Sequence, residues 1–200
     1  MILASSVAPL LLFAAVSTVT PGGATTLATA SGAQFGFRRS IPLMAGIAVG
    51  LASLAAVAAA GLAGVLLAVP ALELAMKLTG SAYLLWLAWK IGRSGPPRLD
   101  MQLAAPTSFI GGACLLWLNP KGWAMTLGAA ASFSVLATGP LRLAALLGSA
   151  FGIAAVVSLS LWCVAGMVLA RLLQTPRQWR VLNVALGVLL AASIVPMWRE

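Results

Sequence analysis

Long stretches without a single charged side chain constrain this sequence more than any other feature. Residues Met1–Phe37, Ile41–Val69 and Leu143–Ala170 contain no Asp, Glu, Lys or Arg. About 20 apolar residues in a helix cross a bilayer's hydrocarbon core, and each run exceeds that length. Composition agrees: 62% of residues are hydrophobic and 8% charged, and the mean hydropathy is +1.05. A soluble domain sits near ~45–50% and ~25%. The chain therefore reads as an all-α, polytopic integral membrane protein.

Breakers divide the hydrophobic sequence into six expected spans: about Ile2–Ala30, Ile41–Val69, Ala71–Ile91, Ser108–Phe133, Leu141–Ala170 and Val181–Met197. The first is interrupted at Pro21 and the fourth at Pro120. "ATASGA" at Ala28–Ala33 has a faint look of a cleavage site, but no Lys or Arg precedes the apolar run, so the first segment is expected to be retained. The single transmembrane domain, 1–200, then divides into a three-helix half over 1–92, an expected cytoplasmic connection over 93–107, and a second half over 108–200.

The net charge of +9 comes from 12 Lys and Arg against 3 Asp and Glu. No basic run exceeds two adjacent residues, which excludes a nucleic-acid surface. Arg38, Arg39, Lys90, Arg93, Arg98, Arg171, Arg177 and Arg180 fall in alternate loops, whereas Lys77, Arg142 and Arg199 fall on the other side. Because cytoplasmic loops are rich in Lys and Arg, both termini are expected outside. Trp86, Trp89, Trp179 and Trp198 stand near expected interfaces, where indoles anchor helices. Glu73 and Lys77, four apart, suit a pair on the outer end of a helix. Gly46-x-x-x-Gly50 and Gly148-x-x-x-Gly152 suit close helix packing.

The chemistry concentrates at the two interruptions, Thr20-Pro21-Gly22-Gly23 and Asn119-Pro120-Lys121-Gly122. Each lies in the first span of a three-span half, and an odd span number inserts the second half the opposite way round. Broken helices at matching places of a 3+3 inverted repeat point to a transporter's midplane site. Thr20 and Asn119 suit N-caps, with Pro21 and Pro120 at the first helical position. A new helix start carries unpaired N–H groups and positive dipole, which suit a carboxylate. At ~1.5 Å per residue, Pro21 lies roughly 13 Å from the inner surface and Pro120 roughly 18 Å deep, near the middle of a core about 30 Å thick. Lys121, a cation that costs at least ~2.5–3.5 kcal/mol at mid-bilayer, has no acidic residue near it in sequence. A substrate carboxylate would be a fitting partner; an anchor that snorkels to an interface is the plainer reading.

These residues carry a resemblance. "TPGG", "GFRRSIPLMAGIAVG", "KLTGSAYLLWLAWKIGRS" and "LNPKGW", in this order over essentially the whole chain, resemble the LysE/RhtB family of amino-acid exporters. "GSAYLLWLAWKI" and "SLWCVAG" resemble its cysteine/O-acetylserine group. The resemblance implies an inner-membrane secondary carrier for small amino acids, coupled to protons, with no cofactor. The family's first motif reads Pro-Gly-Pro-Asn; Pro21 and Gly22 match it, whereas Gly23 and Ala24 depart. No acidic residue stands near Gly50–Ser53, so small neutral substrates are expected. The expected substrate-binding set is Thr20, Pro21, Gly22, Gly23, Asn119, Pro120 and Lys121. The substrate's side chain is expected against Ala45 and Gly46, with Trp117 or Trp123 nearby.

Three rivals remain at this level. A transmembrane thiol carrier would use Cys114 and Cys163, which otherwise read as small buried hydrophobes. A metal exporter would want thiolate, imidazole or carboxylate ligands, yet there is no histidine, and only two cysteines and three acids. An intramembrane hydrolase lacks His, paired Asp and His-Glu-x-x-His. Oligomeric state has no signature in the sequence.

Overall fold

The computed structural model describes residues 2–61, 70–93, 107–192 and 194–195. Among the described residues the protein is all-helical: α1 Ile2–Val19, α2 Gly23–Ala59, α3 Pro70–Gly92, α4 Phe109–Trp117, α5 Pro120–Ser132, α6 Pro140–Leu172 and α7 Pro176–Ala192, with a 3-10 turn at Ser134–Leu136. Two of these, α2 and α6, are long and apolar enough to cross a membrane. Most of the connection over 93–107, the Glu73–Lys77 side-chain pair and Trp198 lie outside the described residues and side chains.

α2 is the central element. Its first arm is buried without interruption from Thr25 to Ala33, which a helix achieves only when neighbours surround it. The sequence places a loop between a span ending near Ala30 and one starting near Ile41. Instead the chain stays helical through Arg38 and Arg39 and bends at Gly36, whose φ is +75° and ψ 176°. That left-handed backbone suits glycine alone among the common residues. Ser40 meets the polar groups that the bend releases: its Oγ donates to the Gly36 carbonyl at 2.8 Å and lies 2.7 Å from Ser31 Oγ. The expected linker is thus a hinge between two helical arms.

Glycines decide how closely the helices lie. A Cβ at Gly32 would fall on the Cys163 carbonyl of α6, and one at Gly166 on the Thr29 carbonyl of α2. These reciprocal contacts bring the first arm of α2 onto α6 at backbone distance. On the second arm, Gly46 faces the Phe109 carbonyl and Gly112 the Leu43 carbonyl, which seats α4 in the same way. Gly148 and Gly152 lie against Ala52. Both expected small-residue motifs are therefore packing contacts. The outward face of α6, with Ile153, Val156, Val157, Leu161 and Val164 exposed, is apolar, as a lipid-facing surface requires.

α7 begins at Pro176, earlier than the expected Val181, and packs along α3 with Gly187 on the Ala88 carbonyl. That early start turns Trp179 inward: it is buried, unlike the exposed Trp86 and Trp89. It is therefore a core residue and not an interfacial anchor.

The Gly32 contact predicts a measurable asymmetry. Gly32→Ala should lower the melting temperature in detergent by more than about 2–4 °C, since overpacking costs at least ~1 kcal/mol. Gly128→Ala, where nothing lies within 4 Å of the added Cβ, should leave it unchanged or raise it. Equal shifts would contradict the packing described.

Candidate functional site

The two interrupted helices meet. α1 ends at Val19 and α2 begins at Gly23, while α4 ends at Trp117 and α5 begins at Pro120. Between the breaks lies a cavity of ≈ 40 Å³. Thr20, Gly22, Gly23, Asn119 and Lys121 line it, and α2 and α6 close it with Ile47, Leu51, Ser158 and Leu159. Five of the seven expected residues are brought together. Pro21 is exposed and does not line the cavity, and the Pro120 side chain lies outside the described side chains.

The first break differs from the expected arrangement. Thr20 is not an N-cap: its N–H and its Oγ1 both donate back to the Val16 carbonyl, at 3.1 and 2.6 Å. It therefore finishes α1. Gly22 is the N-cap of α2, so Pro21 lies outside the helix and not at its first position. The hydroxyl of Thr25, three residues on, accepts the Gly22 N–H at 2.8 Å and donates to the Gly22 carbonyl at 3.0 Å. The N–H groups of Gly23, Ala24 and Thr25 precede the first helical bond, Thr26 to Gly22 at 2.9 Å, and have no acceptor within the helix. All three residues line the cavity.

Other elements complete the C-terminal end of α1. Ser158 Oγ donates to the Thr18 carbonyl at 2.8 Å and Trp162 Nε1 to the Val19 carbonyl at 3.1 Å, both from α6. Lys121 Nζ donates to the Thr20 carbonyl at 3.3 Å. Gly22 gives that ammonium room, since a Cβ there would sit 3.2 Å from Nζ. Thus Lys121, the expected partner of a carboxylate, here bridges the two breaks through a carbonyl.

The second break matches expectation but has a different chemical outcome. Asn119 caps α5, its Oδ1 accepting from the Lys121 N–H at 3.0 Å, with Pro120 at the first helical turn. The N–H groups of Gly122 and Trp123 reach the Asn119 carbonyl at 2.9 and 3.4 Å. This helix start therefore has few N–H groups to spare, and its contribution to an anion is the Lys121 side chain. Available backbone N–H groups and a side-chain cation come from opposite breaks.

Ala45, Gly46, Trp117 and Trp123 do not line the cavity. Gly46 is filled by Phe109, and Trp123 is buried against Trp117, with its Nε1 on the Trp117 carbonyl at 2.8 Å. The larger apolar side chains of the lining are Ile47, Leu51, Leu116, Met125 and Leu159. Cys114 is exposed and Cys163 buried, and neither lines the cavity. Sequence reasoning missed Thr25, although its place three residues after Gly22 is a capping-box position. Ser158 and Trp162 carry no local signal; they are found only once α6 lies beside α1.

Apolar helices interrupted around a cavity suit a membrane transporter. The family model of the LysE type translocator matches residues 15–193, and the chain belongs to that family. It is similar to the cysteine/O-acetylserine efflux proteins of Escherichia coli strain K12 and of Shigella flexneri, 35% identical over 107 residues, or 53% of this chain and 54% of theirs. The match thus spans about half the length of these curated relatives. No solved structure matches the chain.

Asn119→Ala should cost about 1 kcal/mol of stability by orphaning the Lys121 N–H, while Asn119→Ser should restore most of it. Melting curves of the two purified variants check this, and equal melting temperatures would contradict the capping role.

Proposed function

We propose that the protein is a secondary exporter of small neutral amino acids or close derivatives across the bacterial inner membrane. One observation carries this reading: the cavity joins the free N–H groups of Gly23, Ala24 and Thr25 to the Lys121 ammonium. Together they suit a carboxylate, which accepts strong charge-assisted bonds from both. The relatives' efflux of cysteine and O-acetylserine supports a small zwitterion as cargo. None of the three acidic residues stands near either break in sequence, which leaves a cationic side chain without an evident counter-charge, and Ile47, Leu51 and Met125 of the described lining suit a short apolar one.

In this reading the chain forms six spans in two inverted halves, 1–92 and 108–200, joined by 93–107, with both termini outside. The cross-pairing of the breaks supports it: α6 caps the end of α1, and Ser53 of α2 accepts from Trp117 Nε1 at the end of α4 at 3.1 Å. Each long helix thereby supports the interruption of the other half. Rocking of the halves about the cavity would provide alternating access. Protons are the proposed coupling ion, and Lys121 is the titratable residue in the described lining.

The test is export from preloaded cells, with the medium surveyed for each small amino acid. Lys121→Met should reduce export at least roughly tenfold, as expected for loss of a charged hydrogen bond; unchanged export would refute its role. The double variant Cys114→Ser, Cys163→Ser should export normally. Loss of transport there would favour a thiol carrier instead.

A further inference from the structure

We propose that the substrate's α-ammonium binds at the Ser17 carbonyl, on the opposite side of the same break from the carboxylate. The proposal rests on the amino-acid reading above and adds a second subsite to it. In a helix the Ser17 carbonyl would accept from the N–H four residues on, but residue 21 is proline and has none. The neighbouring donors are committed elsewhere: Thr20 N–H to Val16 and Gly22 N–H to Thr25 Oγ1. The three carbonyls that follow are each met by a side chain, Thr18 by Ser158, Val19 by Trp162 and Thr20 by Lys121. Among the described residues Ser17 is the carbonyl left over, and Ser17 lines the cavity.

Such a group in a membrane interior calls for a donor. The end of α1 also carries the negative pole of its dipole, which favours a cation. Three residues on lies the start of α2 with its free N–H groups and positive pole. The interruption therefore presents acceptor and donors side by side, as the two ends of a zwitterion require. Lys121 stands at Thr20 rather than at Ser17, so its charge lies with the carboxylate end and leaves the ammonium end uncontested. On this view Pro21, which does not line the cavity, positions the subsite by withholding an N–H.

L-Cysteine, 3-mercaptopropionate and cysteamine share one skeleton and differ by the ammonium or the carboxylate. Each is titrated under reducing conditions against the purified full chain, read by thermal stabilisation. L-Cysteine should stabilise the protein at concentrations at least roughly tenfold lower than 3-mercaptopropionate, since a hydrogen bond to a charged group is lost. Pro21→Ala, which supplies an N–H to Ser17, should collapse that difference, while Lys121→Met should instead collapse the difference between L-cysteine and cysteamine. Equal binding of L-cysteine and 3-mercaptopropionate by the unmodified protein, or a difference that survives Pro21→Ala, overturns the subsite and leaves the exporter reading standing. Failure of L-cysteine to stabilise the unmodified protein overturns both.

Should Pro21→Ala misfold, the unmodified chain still decides. Ser17–Thr18 is its one Ser-Thr pair, so the Ser17 carbonyl can be singled out by ¹³C-serine and ¹⁵N-threonine labelling. Its carbonyl resonance should move on adding L-cysteine and stay in place with 3-mercaptopropionate; the same response to both overturns the proposal.

Discussion

A backbone polar group inside a membrane needs a partner, and this chain interrupts its helices twice, between α1 and α2 and between α4 and α5. The rest of the structure follows from how those interruptions are satisfied. An open helix end leaves up to four carbonyls or four N–H groups without helical partners, and in hydrocarbon each unmet group costs several kcal/mol. Here Ser158, Trp162 and Lys121 come from distant parts of the chain to meet three carbonyls of α1. Trp123 and Asn119 perform the equivalent work at the second break. Capping in this protein is tertiary structure, and it fixes the relative positions of α1, α2, α5 and α6.

The two breaks look alike in sequence but divide the chemistry between them. Asn119 has a side chain that caps α5 directly, and its own carbonyl takes the next N–H groups. Gly22 has no side chain, so α2 relies on Thr25 folding back, and the N–H groups of Gly23, Ala24 and Thr25 stay available. One break is closed and carries a cation on a flexible stem. The other is open and carries fixed dipoles. Glycine at position 22 serves both, because it gives α2 no side-chain cap and makes room for the Lys121 ammonium.

Much of this was legible in the sequence. The apolar runs gave the helical class, Pro120 and Asn119 gave the start of α5, and five cavity residues followed from two short motifs. What failed did so for physical reasons. Thr20 and Asn119 are both good N-caps by residue type, yet Thr20 bonds backward to Val16, a competition between helix end and helix start that residue preference does not resolve. Arg38 and Arg39 were expected in a loop, but one positive-φ glycine, Gly36, was enough to turn the helix without ending it. Trp179 faces inward because α7 packs closely on α3 at Gly187, a contact between helices far apart in sequence. Ser158 looks like any serine in an apolar run until the end of α1 is placed against it.

Tightness is unevenly distributed around the cavity. The first arm of α2 meets α6 backbone to backbone at Gly32 and Gly166, and α6 grips the end of α1 through Ser158 and Trp162. These elements form one unit, held by contacts that tolerate little displacement, because a packed interior resists small shifts. Across the mouth, α5 reaches the end of α1 through Lys121, at 3.3 Å to a neutral carbonyl. An ammonium is drawn more strongly to a full opposite charge than to a carbonyl dipole, so a bound carboxylate would outcompete the Thr20 carbonyl for it. Under the exporter reading, the bridge across the breaks is then the contact that substrate binding exchanges, while the glycine-sealed unit behind it stays fixed. A Cβ at position 22 would crowd that bridge and leave the sealed unit untouched, which is why the glycine belongs to the working side of the site and not to its scaffold.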